Sequence, residues 1–157
     1  MRRLKELIRT QLHADQLVSE RATSCRRRGT MARAVLIQRV PHSADDEIVP
    51  VAAFAEINGG GHCSATPAGC GCVHAEQKLI VKMLKAGKKP DHLVYAMLTT
   101  LEPCEQCANL IVESGLFSVV AWLQEYRGGK GRDILRRANI SVVDADSPFM
   151  NFRSSVE

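Results

Sequence analysis

Two apolar, helix-like runs in this chain open on residues that a helix start does not need. One is "CVHAEQKLI", Cys72 to Ile80, with His74 and Glu76 at its head. The other is "LEPCEQCANLI", Leu101 to Ile111, which opens on Pro103, Cys104 and Cys107. Taken singly, each is ordinary: a histidine near a cap, a glutamate favoured by the helix dipole, a CxxC pair that is structural, redox-active or merely buried. Together they make a donor set for one ion. Two thiolates from one helix turn can grip the same cation, His74 can add a third ligand from the other helix start, and three N/S ligands leave a fourth position for water. Both helix N-termini aim positive dipole ends at the common point, which favours thiolates. Glu76 then stands beside the metal without ligating it, placed to take and pass on a proton. A purely structural zinc site has no use for that carboxylate.

Two helix starts that must meet limit the fold. Leu4, Leu7, Ile8, Leu12, Leu17 and Val18 keep roughly helical spacing, so the first twenty residues read as an amphipathic helix. Met31 to Val40 reads as a strand, "HSADDE" as a polar turn, and Ile48 to Ile57 as a second strand paired antiparallel to the first. Pro50 suits an edge position or a bulge. Asn58 to Cys72 is a long loop rich in glycine and small polar residues, a length that favours a functional role. Beyond it, helices over Ala75 to Leu84, at "CEQCANLIVES" and at "GRDILRRAN" alternate with strands at "LVYAMLTTL", "LFSVVAWL" and "ISVVDA". That alternation predicts parallel pairing through helical crossovers. The expected architecture is α/β, three layers, with helices on both faces of a five-stranded mixed sheet.

Composition narrows the function. The 157 residues suffice for one domain, 1–157, with a core that needs no disulfides, and the tail from Asp146 lacks periodicity and is expected to be loosely held. The start of the chain lacks a signal-peptide core and no apolar run approaches bilayer length, so a cytoplasmic protein is expected. In that setting six cysteines argue for metal or catalysis before disulfides. The net charge of +4 is mild, and part of it sits in "CRRRG", Cys25 to Gly29, either a solvated turn or a phosphate site. One Trp, two Tyr and four Phe are too few for a broad base-stacking surface, so a nucleic-acid partner is not expected.

His74-Ala75-Glu76 followed by Pro103-Cys104-Glu105-Gln106-Cys107 matches the H-x-E…P-C-x-x-C signature of zinc nucleobase deaminases. From about Leu17 to Val143 the chain resembles the cytidine deaminase-like superfamily, and within it the deoxycytidylate (dCMP) deaminases. "LVSERATSCRRR", "INGGGHC", "CGCVHAE" and "PCEQCANLIVESGLFSVVAW", continued by "EYRGGKGRDILRRANISVV", carry the resemblance. It implies that His74, Cys104 and Cys107 hold the zinc and that Glu76 shuttles protons. It further implies that the backbone around Ala75 and Thr100 addresses the base edge and that Asn58 binds the sugar. Arg26 or Arg27, with Arg127, would meet the 5′-phosphate, and Tyr126 would help wall the pocket. Some members carry a second, non-catalytic zinc. Cys25, His62, Cys63, Cys70 and Cys72 supply candidates for it here, against the reading of reduced, buried thiols. The resemblance also implies a homo-oligomer, dimer or hexamer.

The implied reaction is hydrolytic deamination of a free pyrimidine nucleotide, dCMP to dUMP and ammonia. Departures from the pattern keep other substrates open. Arg33 stands where the family usually has a small residue, and Lys78 where it often has asparagine. "TLEPC" looks more like tRNA adenosine deaminases and riboflavin-pathway deaminases. The alternatives are a deaminase acting on another nucleotide, base or tRNA adenosine, and a catalytically idle, zinc-stabilised binding subunit.

Overall fold

A computed structural model describes residues 6, 8–15, 30–39, 46–59, 71–88, 95–126 and 128–145. Five strands, β1 (Met31–Arg39), β2 (Asp46–Ile57), β3 (Tyr95–Leu101), β4 (Phe117–Gln124) and β5 (Ser141–Asp144), form one sheet in the order β2-β1-β3-β4-β5. β1 pairs antiparallel with β2 and β3, whereas β3, β4 and β5 run parallel. The parallel half is where helices alternate with strands, because parallel neighbours need a crossover. Those crossovers are α3 (Glu105–Ser114) and α4 (Lys130–Arg137); α2 (Ala75–Lys85) links β2 to β3.

Strand periodicity sorts the side chains into two cores. On one face Ala32, Ala34, Tyr95, Met97, Val120 and Trp122 pack with Leu79, Ile80 and Met83 of α2, Ile111 of α3 and Leu135 of α4. On the other, Val35, Ala96, Leu98, Val119, Ala121 and Val143 receive Ile8 and Leu12 from a helix, α1, at residues 8–15. The three-layer α/β/α arrangement expected from the sequence is therefore present, with α1 alone on its face among the described helices. α3 stops at Gly115, whose φ of 61° is the left-handed C-cap conformation that glycine adopts without a Cβ clash.

One boundary differs from the sequence reading, while the expectation for Pro50 holds. β2 begins at Asp46, inside the expected polar turn, with Asp46 opposite Arg39 and Glu47 opposite Gln38. Backbone groups make the ladder, so polar residues extend it as readily as apolar ones where one side faces water. The β1–β2 register breaks between the pairs Arg33↔Ala55 and Val35↔Pro50, so β2 bulges on the edge of the sheet beside its proline.

Candidate metal centre and active site

The first donor comes from the start of α2. His74 is its N-cap, with extended backbone (φ −71°, ψ 150°), and its backbone N–H donates to Oε1 of Gln77 at 3.0 Å. That bond to the third helical residue fixes the entry of the chain into the helix. Cys104 caps α3 in the same extended conformation, and Cys107 lies one turn further on, buried. Pro103 precedes Cys104 and biases Glu102 before it away from the helical region, so β3 ends cleanly and α3 starts with both sulfurs on its first turn.

His74 Nδ1 lies 3.6 Å from Cys104 Sγ and 3.3 Å from Cys107 Sγ. The three donor atoms all fall within 4.8 Å of one another, the one such His/Cys/Asp/Glu cluster among the described residues. Zinc bonds of about 2.0–2.1 Å to nitrogen and about 2.3 Å to sulfur, at a tetrahedral angle, put N and S roughly 3.5 Å apart. The donor set therefore fits a zinc ion by chemistry and by spacing. The sulfurs are already polarised towards binding. A hydrogen bond from Cys107, with help from His74, pulls the Cys104 thiol down to about 4, while that same bond and burial push Cys107 up. A bound cation would take the place of the thiol protons.

Glu76 sits two residues into the same environment, 3 % exposed. Burial raises its carboxyl to about 7, against the opposing pull of its own backbone N–H and of His74. Its Oε2 has no hydrogen-bond partner among the described residues. A buried carboxylate oxygen left without a partner is costly, and here it lies beside an ion site. Structure alone gives no reason to keep it.

The rim of the site lies at one end of the sheet. Asn58, 5 % exposed, follows β2, and its N–H donates to the Thr30 carbonyl at 2.9 Å. Thr100, near the end of β3, accepts the Met31 N–H on Oγ1 at 3.0 Å. Gly59 N–H reaches the Val73 carbonyl at 3.2 Å, drawing the end of β2 to the start of α2. Asn58, Thr100 and Ala75 are thus brought to the same end as the three donors, around the carboxyl end of β3, the end at which open α/β sheets bind ligands. Tyr126, 41 % exposed, is in the turn after β4. Arg26, Arg27, Arg127, Cys25, His62, Cys63 and Cys70 lie outside the described residues; of the candidate second-zinc ligands only Cys72 is described, and it is buried.

The two residues that depart from the family pattern are both engaged. Arg33 forms a two-pronged pair with the buried Asp15 of α1, Nε to Oδ2 at 3.0 Å and the terminal nitrogen to Oδ1 at 2.9 Å. Lys78 Nζ donates to the Ile57 carbonyl at 3.1 Å and lies 3.6 Å from Glu56. Two further residues escaped the sequence reading: Glu102 and Arg132, an ion pair at 3.1 Å, with the Glu102 side chain 1 % exposed. The available signal was a glutamate set between a buried strand and the Pro-Cys turn.

An α/β sheet with a His/Cys₂ centre between two helix starts and a carboxylate beside it defines a hydrolytic zinc centre of the nucleobase-deaminase kind. Residues 10–123 match the family model described as the cytidine and deoxycytidylate deaminase zinc-binding region, and the chain belongs to that family. Among solved structures it is similar to the dCMP deaminase of cyanophage S-TIM5 in complex with dCMP and dUMP. That match has 25 % identity and a TM-score of 0.63, covering 87 % of this chain and 95 % of the phage protein. The Rib2 deaminase of Aspergillus oryzae shares the fold at 16 % identity and a TM-score of 0.58, covering 86 % of this chain and 82 % of its own. No curated protein matches the sequence. No described helix is long and apolar enough to cross a membrane.

Proposed function

We propose that the protein deaminates a free pyrimidine nucleotide hydrolytically, dCMP and water giving dUMP and ammonia. The observation that carries the reading is Glu76, a buried carboxyl with an unpartnered oxygen beside three zinc donors. The similarity to a phage enzyme solved with dCMP and dUMP supports the substrate.

His74, Cys104 and Cys107 would hold the zinc, which when bound supplies a Lewis acid that makes a water nucleophilic near neutral pH. Glu76 does the proton work. It takes one proton from the attacking water and delivers it to N3 of the cytosine ring as the water oxygen bonds to C4. It then carries the remaining hydroxyl proton to the amino group, the C4–N bond breaks, and ammonia leaves a C4 carbonyl behind. Asn58 holds the sugar, the backbone at Ala75 and Thr100 faces the base edge, and Tyr126 walls the pocket. Arg26 or Arg27, with Arg127, takes the 5′-phosphate. On the sequence reading the enzyme is a cytoplasmic homo-oligomer, dimer or hexamer, and Cys25, His62, Cys63, Cys70 and Cys72 are the candidates from which the four ligands of a second zinc would be drawn.

Ammonia release tests this on a panel of dCMP, CMP, deoxycytidine, dCTP, purine nucleotides and tRNA, with zinc content measured. Turnover of dCMP that vanishes in Glu76→Ala is the expected result. Turnover of another member alone moves the substrate and keeps the chemistry. Silence across the panel, with zinc bound and the fold intact, rejects catalysis in favour of an idle binding subunit.

A further inference from the structure

The sequence between β3 and α3 puts a charge where none is expected. Glu102 follows a strand buried along nearly its whole length, precedes Pro103, and is itself 2 % exposed. A buried carboxylate is costly unless paired and hydrogen-bonded. Glu102 is both. Its Oε2 accepts the Tyr126 N–H at 3.1 Å and a terminal guanidinium nitrogen of Arg132 at 3.1 Å. Its own backbone N–H donates to the Gln124 carbonyl at 2.8 Å, carrying the β3–β4 pairing one step past the end of β3.

Arg132 is held from three sides. Beyond Glu102 it donates to Glu125 Oε1 at 2.6 Å, and its guanidinium lies 5.2 Å over the Trp122 ring. One terminal nitrogen of the guanidinium donates to both carboxylates while the planar group lies over the aromatic ring, a stacked arrangement that an ammonium, having no plane, does not reproduce. One residue earlier, Gly131 faces the carbonyl oxygen of Pro103 so closely that a Cβ built there would collide with it. The first turn of α4 therefore lies backbone against backbone on the turn that delivers Cys104.

We propose that Glu102 and Arg132 are positioning residues for the metal centre: the pair locks the Pro103–Cys104 turn to the β4–α4 turn and so holds the first thiolate donor at its distance from His74. Glu102 is two residues from Cys104, and its carboxylate is anchored to Arg132 of α4 and to the backbone of Tyr126 after β4. Glu102 is not one of the three donors, so its effect runs through the backbone. A merely structural pair would contribute to the stability of the domain as any buried contact does. A positioning pair governs how tightly zinc is held at a given stability.

The test uses the zinc-loaded protein. Release of zinc to an excess of a chromogenic chelator is timed for wild type, Glu102→Gln, Arg132→Gln and Arg132→Lys, with thermal midpoints measured alongside. Val143→Ala, on the opposite face of the sheet, is the control for loss of stability alone. The expected result is zinc release accelerated roughly tenfold or more in Arg132→Gln and Glu102→Gln, the range seen when outer-shell partners of a metal are removed. Arg132→Lys is expected to fall between, since an ammonium keeps the charge but loses the planar group that lies over Trp122. Unchanged release in a folded Arg132→Gln, or equal acceleration in Val143→Ala at the same midpoint, overturns the proposal. Arg132 is partly solvent-exposed, at 23 % of its side chain, so its variants carry the test if Glu102→Gln does not fold. The inference rests on the zinc centre and not on the nucleotide: a wild-type protein that takes up no zinc overturns the centre before any variant is compared.

Discussion

His74 Nδ1 and Cys107 Sγ stand 3.3 Å apart although 33 residues of chain separate them. Nothing but a cation or a shared proton justifies holding an imidazole and two sulfurs at that spacing. Stripping the metal with a chelator is therefore expected to abolish turnover and lower the thermal midpoint, and readdition of zinc to restore both. The core on both sheet faces is extensive enough that the metal-free chain stays folded at room temperature, which circular dichroism checks.

Replacing Glu76 separates chemistry from metal binding. Glu76→Gln keeps the shape of the side chain and removes the proton carrier, so the rate of ammonia release is expected to fall by about 10²–10⁴-fold. Zinc content should stay at the wild-type value, because Glu76 is not among the three donors. The burial that now raises its carboxyl no longer opposes a charge, so the variant is expected to be at least as stable as wild type in a thermal melt.

Asp15 and Arg33 join α1 to the sheet. Asp15→Ala leaves a guanidinium behind without its carboxylate and takes the hydrogen bond from Gln11 away too. The expected loss is about 3 kcal/mol, in the lower part of the range for breaking a buried pair because Arg33 keeps some access to water. Urea unfolding measures it, and zinc release should not change.

Gly131→Ala puts a methyl group against the Pro103 carbonyl. Overpacking of this kind costs about 1–3 kcal/mol. Because the displaced atom belongs to the turn carrying Cys104, the variant is expected to release zinc faster as well as melt earlier.

Lys78→Met cuts the tie from α2 to the Ile57 carbonyl, next to Asn58. The α2 core residues are untouched, so stability should fall by less than about 1 kcal/mol. KM for the nucleotide is expected to rise several-fold with kcat nearly unchanged, as steady-state kinetics will show.

The donors and Glu76 were legible in the sequence because their chemistry is local: a residue type at a helix start and a spacing of three. The strands of the second half were legible as short apolar runs bounded by turns and helices, and β3 and β4 are buried along most of their length. What escaped was pairing across distance. Arg33 and Lys78 appear in the sequence as unpaired charges that break a family pattern, and only the fold shows Asp15 and Ile57 waiting for them. Glu102 and Arg132 escaped for the same reason, since no period links a strand end to the third residue of a helix thirty positions later. Asp46 was read as turn because composition is a poor guide to how far a backbone ladder runs on an edge strand.

The order of the strands has a consequence in time. The segment between the histidine and the first cysteine contains β3, which pairs with β1 on one side and β4 on the other. Each of these pairings joins residues distant in sequence, the kind that forms slowly. The complete three-donor set cannot assemble until β3 has been laid into the middle of the sheet, so capture of the ion belongs to the last stage of maturation. An occupied centre is then a certificate that the chain around it has finished folding.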